Sequence, residues 1–365
     1  MKKRFSHFCA TVLALAMACT GSLKDREGPG KAQTATYTNP ILPVGAEPWA
    51  FFHDGYYYYM QGMEYRLVLW KTADITDLGN APSKTIWVGD IPERSQHMWG
   101  PEIHRINGVW YVYYVADDGN MDNHQIYVLE NPSEDPFEGE FKFKAHLSTD
   151  SLNNWAIHPN VMEHNGTLYM TWSGWQTRRV DVETQCIYIA KMKNPWTLGS
   201  ERVLLSKPEY EWERQWINPD GSKTAYTIYV NEAPQFFKNK TGDKIYIFYS
   251  ASGNWTPYYA VGRLTADAGS DLLDPASWEK SAQPVFRQFP DSEIFAPGNC
   301  CFLPSPDGTE YYLLYHARRV PNEAPGALDS RSPRLQKIEW SEDGTPYLGT
   351  PVAEKVILTK PSGTK

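Results

Sequence analysis

PEIHRINGVWYVYYVA, residues 101–116, contains the pattern that organises this chain: a short apolar run, a turn closed by Asn107-Gly108, and a run of aromatic and β-branched residues. The same pattern recurs as PWAFFHDGYYYYM at 48–60, PNVMEHNGTLYMTWS at 159–173, PQFFKNKTGDKIYIFYS at 234–250 and CFLPSPDGTEYYLLYHA at 301–317. Its turn glycines are Gly55, Gly108, Gly166, Gly242 and Gly308. Asp-Gly and Asn-Gly favour two-residue hairpins because a type I′ turn needs positive φ at both central positions. Four of the five turns carry that signal, at Asp54, Asn107, Asn165 and Asp307.

Each hairpin is followed by a third strand-like run, LVLWKTAD, HQIYVLEN, QCIYIAKM, YYAVGRLT and RLQKIEW, and segments such as KTIWVG and ERVLLS supply a fourth. No stretch has helical periodicity of useful length. Repetition of one small antiparallel sheet predicts an all-β fold, a five-bladed β-propeller with four-stranded antiparallel blades and a site at the central funnel. Two packed sandwiches are the alternative, but a sandwich has no reason to repeat one hairpin in register.

In a propeller the innermost strand of every blade starts at the axis, so residues just before each hairpin converge. The position before the repeated Pro or Cys holds Glu47, Gly100, His158, Ala233 and Cys300, and one position earlier lie Ala46, Trp99, Ile157, Glu232 and Asn299. Two carboxylates, Glu47 and Glu232, and the His158 imidazole are therefore expected in one cavity. Paired carboxylates suit glycoside hydrolysis, where one protonates the leaving oxygen and the other activates water. Trp49, Trp99, Trp172, Trp175 and Trp255 lie at ends or turns of inner strands, where an indole either lines the funnel or packs between blades.

Composition narrows the partners. The chain has 365 residues with Lys+Arg 35 against Asp+Glu 43, a net charge of −8, which argues against a nucleic-acid surface. Lys2, Lys3 and Arg4 precede the apolar run Phe8 to Ala18, which is too short to span a bilayer and reads as an export signal. Ala18-Cys19 resembles the lipobox of a bacterial lipoprotein, with Cys19 as the lipidated residue. The expected layout is a lipoprotein signal at 1–18, a flexible tether at 19–37 and the catalytic propeller at 38–365, exported and lipid-anchored at the periplasmic or outer surface. Cys186, Cys300 and Cys301 have no metal-ligand spacing. No cofactor or metal is expected, and a structural cation on the axis is left open.

Five strings together resemble glycoside hydrolase family 43: NPILPVGAEPWAFFHDGYYYYM, MWGPEIHRINGVWYVYYVADDG, NNWAIHPNVMEHNGTLYMTWSGW, VNEAPQFFKN and FAPGNCCFLPSPDGTEYYLLYHAR. The resemblance implies a five-bladed propeller that inverts configuration, with many members removing α-L-arabinofuranose or β-D-xylose from plant polysaccharides. It implies that Glu232 is the general acid. Glu47 stands where the family has an Asp base, and His158 where it has an Asp that tunes the acid. A protonated imidazole there would lower the acid's pKa and weaken the proton donor. In the last string the family often has GPGHNS, so Asn299 and Cys300 replace a His and an Asn, while His316 is retained. Glu102, in the WxPE motif, and His316 join the tryptophans as expected substrate contacts. Three readings follow: an arabinofuranosidase with an altered base, an exo-hydrolase for another sugar such as a galactoside or xyloside, and a surface lipoprotein that binds glycan without cleaving it.

Overall fold

Strand pairing accounts for nearly all regular structure in the computed structural model, which describes residues 35–177, 183–217, 221, 228–321 and 330–365; among these the helices are short 3-10 turns. The export signal, Cys19 and the tether before residue 35 lie outside the described residues.

All five repeats form antiparallel hairpins, and the architecture is all-β. Trp49–His53 and Tyr56–Met63 begin a four-stranded sheet completed by Arg66–Thr72 and Ser83–Val88. Gln96–Ile106, Val109–Asp117, Gln125–Asn131 and Lys142–Leu147 form the second. The third and fourth hairpins, Ala156–His164 with Thr167–Trp175 and Ile228–Lys238 with Lys244–Ala251, belong to one nine-stranded sheet. They are joined there by parallel pairing of Glu183 to Gln185 with Ile228 to Val230. Phe295–Pro304, Tyr311–Arg318 and Ser332–Lys337 make a three-stranded sheet, so uniform four-stranded, purely antiparallel units are not what forms. Thr36–Tyr37, within the stretch expected as tether, pairs with Leu358–Thr359.

Turn chemistry explains three hairpins directly. Asp54-Gly55, Asn107-Gly108 and Asn165-Gly166 have positive φ at both positions, as a two-residue type I′ turn requires. Asp307-Gly308 departs from that expectation. Its loop runs from Pro304 to Tyr311, with Gly308 N–H donating to the Ser305 carbonyl at 2.8 Å and Asp307 carboxylate accepting from Ser305, Thr309 and Ser362 hydroxyls. Contact with the C-terminal segment favours the longer loop.

The aromatic strands are buried on both faces. Tyr58 and Met60 face a core shared with Met98, Trp110 and Tyr114 of the second hairpin, whereas Tyr57 and Tyr59 face a core shared with Cys301, Tyr312 and Leu314 of the fifth. Tyr111, Tyr113 and Val115 pack with Val161, Met170 and Trp172; Tyr169, Ile187 and Ile189 with Ile245, Ile247 and Tyr249; and Tyr246 and Phe248 with Cys300, Leu313 and Tyr315. Successive side chains on a strand point to opposite faces, so strands with both faces covered need apolar residues at every position. That requirement accounts for the run of buried aromatic residues in these strands.

Candidate active site

The site begins with a repeated irregularity in the inner strands. In the second hairpin Trp99 pairs with Val115 and Glu102 with Tyr113; in the third Ile157 pairs with Ser173 and Asn160 with Thr171. In the fourth Glu232 pairs with Ser250 and Gln235 with Phe248, and in the fifth Gly298 pairs with His316 and Cys301 with Leu314. Each case places one extra residue on the inner strand, a β-bulge that re-aims a side chain. The first bulge residues, Gly100, His158, Ala233 and Asn299, all have φ between 49 and 55°, and Glu47, before the first hairpin, has φ 52°. The fifth member of this set is therefore Asn299 rather than Cys300, because Cys300 takes the place that proline holds in the other repeats.

The bulges, with the matching positive φ at Glu47 ahead of the first hairpin, bring Glu47, His158 and Glu232 to one cavity of about 670 Å³. Glu47 Oε2 accepts a 2.6 Å hydrogen bond from Gly100 N–H, and its Oε1 lies 3.8 Å from His158 Nε2. The Glu47 backbone N–H donates to His316 Nδ1 at 3.1 Å, which leaves the His316 proton on Nε2. Burial, reinforced by Arg331, Arg318 and His158, holds His316 well below the ordinary histidine range, so its ring is neutral. Glu232 is buried, and its Oε1 accepts from the Tyr259 hydroxyl at 2.7 Å. Burial raises the Glu232 pKa; His158, Tyr259 and Arg331 oppose this and Glu47 adds to it, with a net upward shift. His158 thus acts in the direction read from sequence, while desolvation is the larger effect and sets the net upward shift.

Tryptophans form much of the wall. Trp99, Trp175 and Trp255 line the cavity as expected, joined by Trp155, three residues before His158, which stacks on Trp175 at 4.8 Å and 11°. Trp99 rests on His124 at 4.1 Å, and Asp117 holds that imidazole at 3.1 Å. Gly253 lets Trp255 fold back, since a Cβ there would lie 2.5 Å from the indole. Gln61, Gln185, Asn254 and Arg331 add polar groups. Trp155 was open to discovery from its closeness to His158, but no sequence pattern distinguishes the other four or Tyr259.

Four expected substrate contacts lie elsewhere. Trp172 is fully buried in the core against Tyr188. Trp49 lines a separate cavity and donates from Nε1 to the Ile103 carbonyl at 3.0 Å. Glu102 is buried in a network with His104, Asn160 and Gln235, its Oε2 accepting from Asn160 at 2.8 Å. It pairs with Tyr113 where the bulge closes, two residues past Gly100. His316 is fully buried behind Glu47 and supports that residue's backbone. Cys19 lies outside the described residues.

The model of glycosyl hydrolases family 43 matches residues 37–346. The chain belongs to this family. Among family 43 relatives, an extracellular exo-α-(1→5)-L-arabinofuranosidase of Streptomyces avermitilis is 35% identical over 356 residues, 96% of this chain and 70% of that protein. A second enzyme of that name, from Streptomyces chartreusis, is 35% identical over 83% of this chain and 89% of its own. The crystal structure of an α-L-arabinofuranosidase from Lactobacillus brevis superposes with a TM-score of 0.78 at 32% identity, covering 88% of this chain and 98% of that one. Family membership makes the chain a glycoside hydrolase and the cavity its candidate catalytic centre.

Proposed function

We propose that this family 43 protein is an exo-acting α-L-arabinofuranosidase that removes terminal arabinofuranose from plant polysaccharide by a single inverting displacement. The observation that carries the reading is the convergence of Glu47, His158 and Glu232 on one tryptophan-walled cavity. The names of the relatives support the sugar.

In this mechanism neutral Glu232 donates its proton to the glycosidic oxygen as the bond from that oxygen to the anomeric carbon breaks. Ionised Glu47 takes a proton from a water molecule whose oxygen attacks the opposite face of the sugar. The Gly100 N–H fixes the direction of the Glu47 carboxylate. His158, 3.8 Å from Glu47, offsets part of the upward shift that burial imposes on Glu232.

The scaffold we assign is a five-bladed propeller. Its support is the set of five hydrophobic cores, of which one joins the fifth hairpin to the first, as a closed ring requires. For location, the word extracellular in two relatives' names supports export. We assign the lipid to Cys19, so Cys19→Ala should release the protein from the membrane fraction.

The test is sugar release from α-1,5-arabino-oligosaccharides and a panel of aryl glycosides. Arabinose is the expected product, and Glu232→Gln should lower the rate by about 10²- to 10⁴-fold while retaining binding. Release of xylose or galactose alone would overturn the sugar assignment. Glycan binding without turnover by the unmodified protein would overturn the hydrolase assignment and leave a binding lipoprotein.

A further inference from the structure

We infer that Tyr259 is a positioning residue for the general acid: its hydroxyl occupies one oxygen of Glu232, so that the transferable proton sits on the other. This rests on the assignment of Glu232 as acid. The Tyr259 O–H donates to Glu232 Oε1 at 2.7 Å, and both side chains are buried. A neutral carboxyl carries a single hydrogen. With Oε1 engaged as an acceptor, that hydrogen belongs on Oε2, free to reach a glycosidic oxygen.

The surroundings hold the phenol in this direction. Its ring lies nearly parallel to His316, 5.7 Å away at 14°, and Gly298 leaves the space it fills: a Cβ at that position would come within 2.3 Å of the Tyr259 ring. The Ser250 hydroxyl, which also borders Gly298, accepts from Asn299 N–H at 2.8 Å. The ring is thus fixed by His316 and by the space at Gly298, and its hydroxyl hydrogen is directed to Glu232 by a residue outside the usual proton-transfer pair.

Removing the hydroxyl withdraws a donor that stabilises the Glu232 carboxylate, so the acid should ionise at higher pH. In Tyr259→Phe the alkaline limb of kcat/KM is expected to move up. The rate on an arabino-oligosaccharide, whose leaving alcohol needs a proton, should fall about tenfold or more. On 4-nitrophenyl α-L-arabinofuranoside, whose phenolate leaves with little protonation, it should fall less than about threefold. Substituting 3-fluorotyrosine at 259 keeps the ring and strengthens the donor; the limb should then move down, a readout that stands even if the phenylalanine variant fails to fold. Equal losses on both substrates with an unmoved limb in Tyr259→Phe, or an unmoved limb with fluorotyrosine, would overturn the inference. Failure of the underlying function looks different: the unmodified protein would then release no arabinose from either substrate.

Discussion

The Gly100 backbone N–H donates to Glu47 Oε2 at 2.6 Å, and the same glycine lies against His158, where an added Cβ would come within 2.7 Å of Nδ1. Positive φ alone does not require glycine here, because Glu47, His158, Ala233 and Asn299 adopt nearly the same angle at matching positions. The neighbouring imidazole does. Gly100→Ala should push His158 aside and tilt the Glu47 carboxylate. We expect kcat to fall by about 10²-fold, the scale of a 1 Å misplacement, with the fold retained; a melting curve run beside the kinetics separates the two effects.

Glu232 must be protonated to act, and burial raises its pKa. Activity should therefore fall as pH rises through that elevated value, and the limb should vanish in Glu232→Gln. His158 pulls the Glu232 pKa down, so His158→Asp removes a lowering influence and adds a negative charge. Both changes raise it, and the alkaline limb of the kcat/KM profile should move to higher pH. An unmoved limb would exclude electrostatic tuning by this residue.

Trp172 and Trp255 should respond differently to truncation. Trp172 is fully buried beside Tyr188, so Trp172→Ala should cost about 3–5 kcal/mol in urea unfolding. Trp255 lines the cavity, and Trp255→Ala should raise KM about tenfold, roughly 1.4 kcal/mol of binding, with much less effect on unfolding.

His316 is held neutral by burial and nearby cations. The unfolded chain takes up a proton there near pH 6.5, while the folded chain does not. Stability is thus full above that pH and is lost as pH falls below it, by up to about 1.4 kcal/mol per unit for one proton. Buried His124, also shifted down, acts in the same direction. Unfolding measured from pH 7 to pH 5 should show a shallower loss in His316→Gln.

The hairpins were legible because their chemistry is local. Asp54-Gly55, Asn107-Gly108 and Asn165-Gly166 form the turns their residues favour. Asp307-Gly308 has the same pair but yields to a contact with Ser362, some fifty residues onward, which no local pattern reveals. The approach of Glu47, His158 and Glu232 was readable because a proline stands next to, or one residue beyond, each of them at the start of its repeat. The fifth repeat lacks that proline, and its register was read one residue late. Trp172 and Trp175 lie on one strand and join one core, and only Trp175, at the strand's end and stacked on Trp155, reaches the cavity wall. Tyr259 and Arg331 enter from outside the inner strands, so the repeat that locates the cavity is silent about them.

Proton NMR of the first product released from 4-nitrophenyl α-L-arabinofuranoside tests the central assignment most directly, because it reports both the sugar and the face attacked. With Glu232 as acid and Glu47 activating water, β-L-arabinofuranose should appear first and mutarotate afterwards. Initial appearance of the α anomer, or no release of arabinose, would contradict the account.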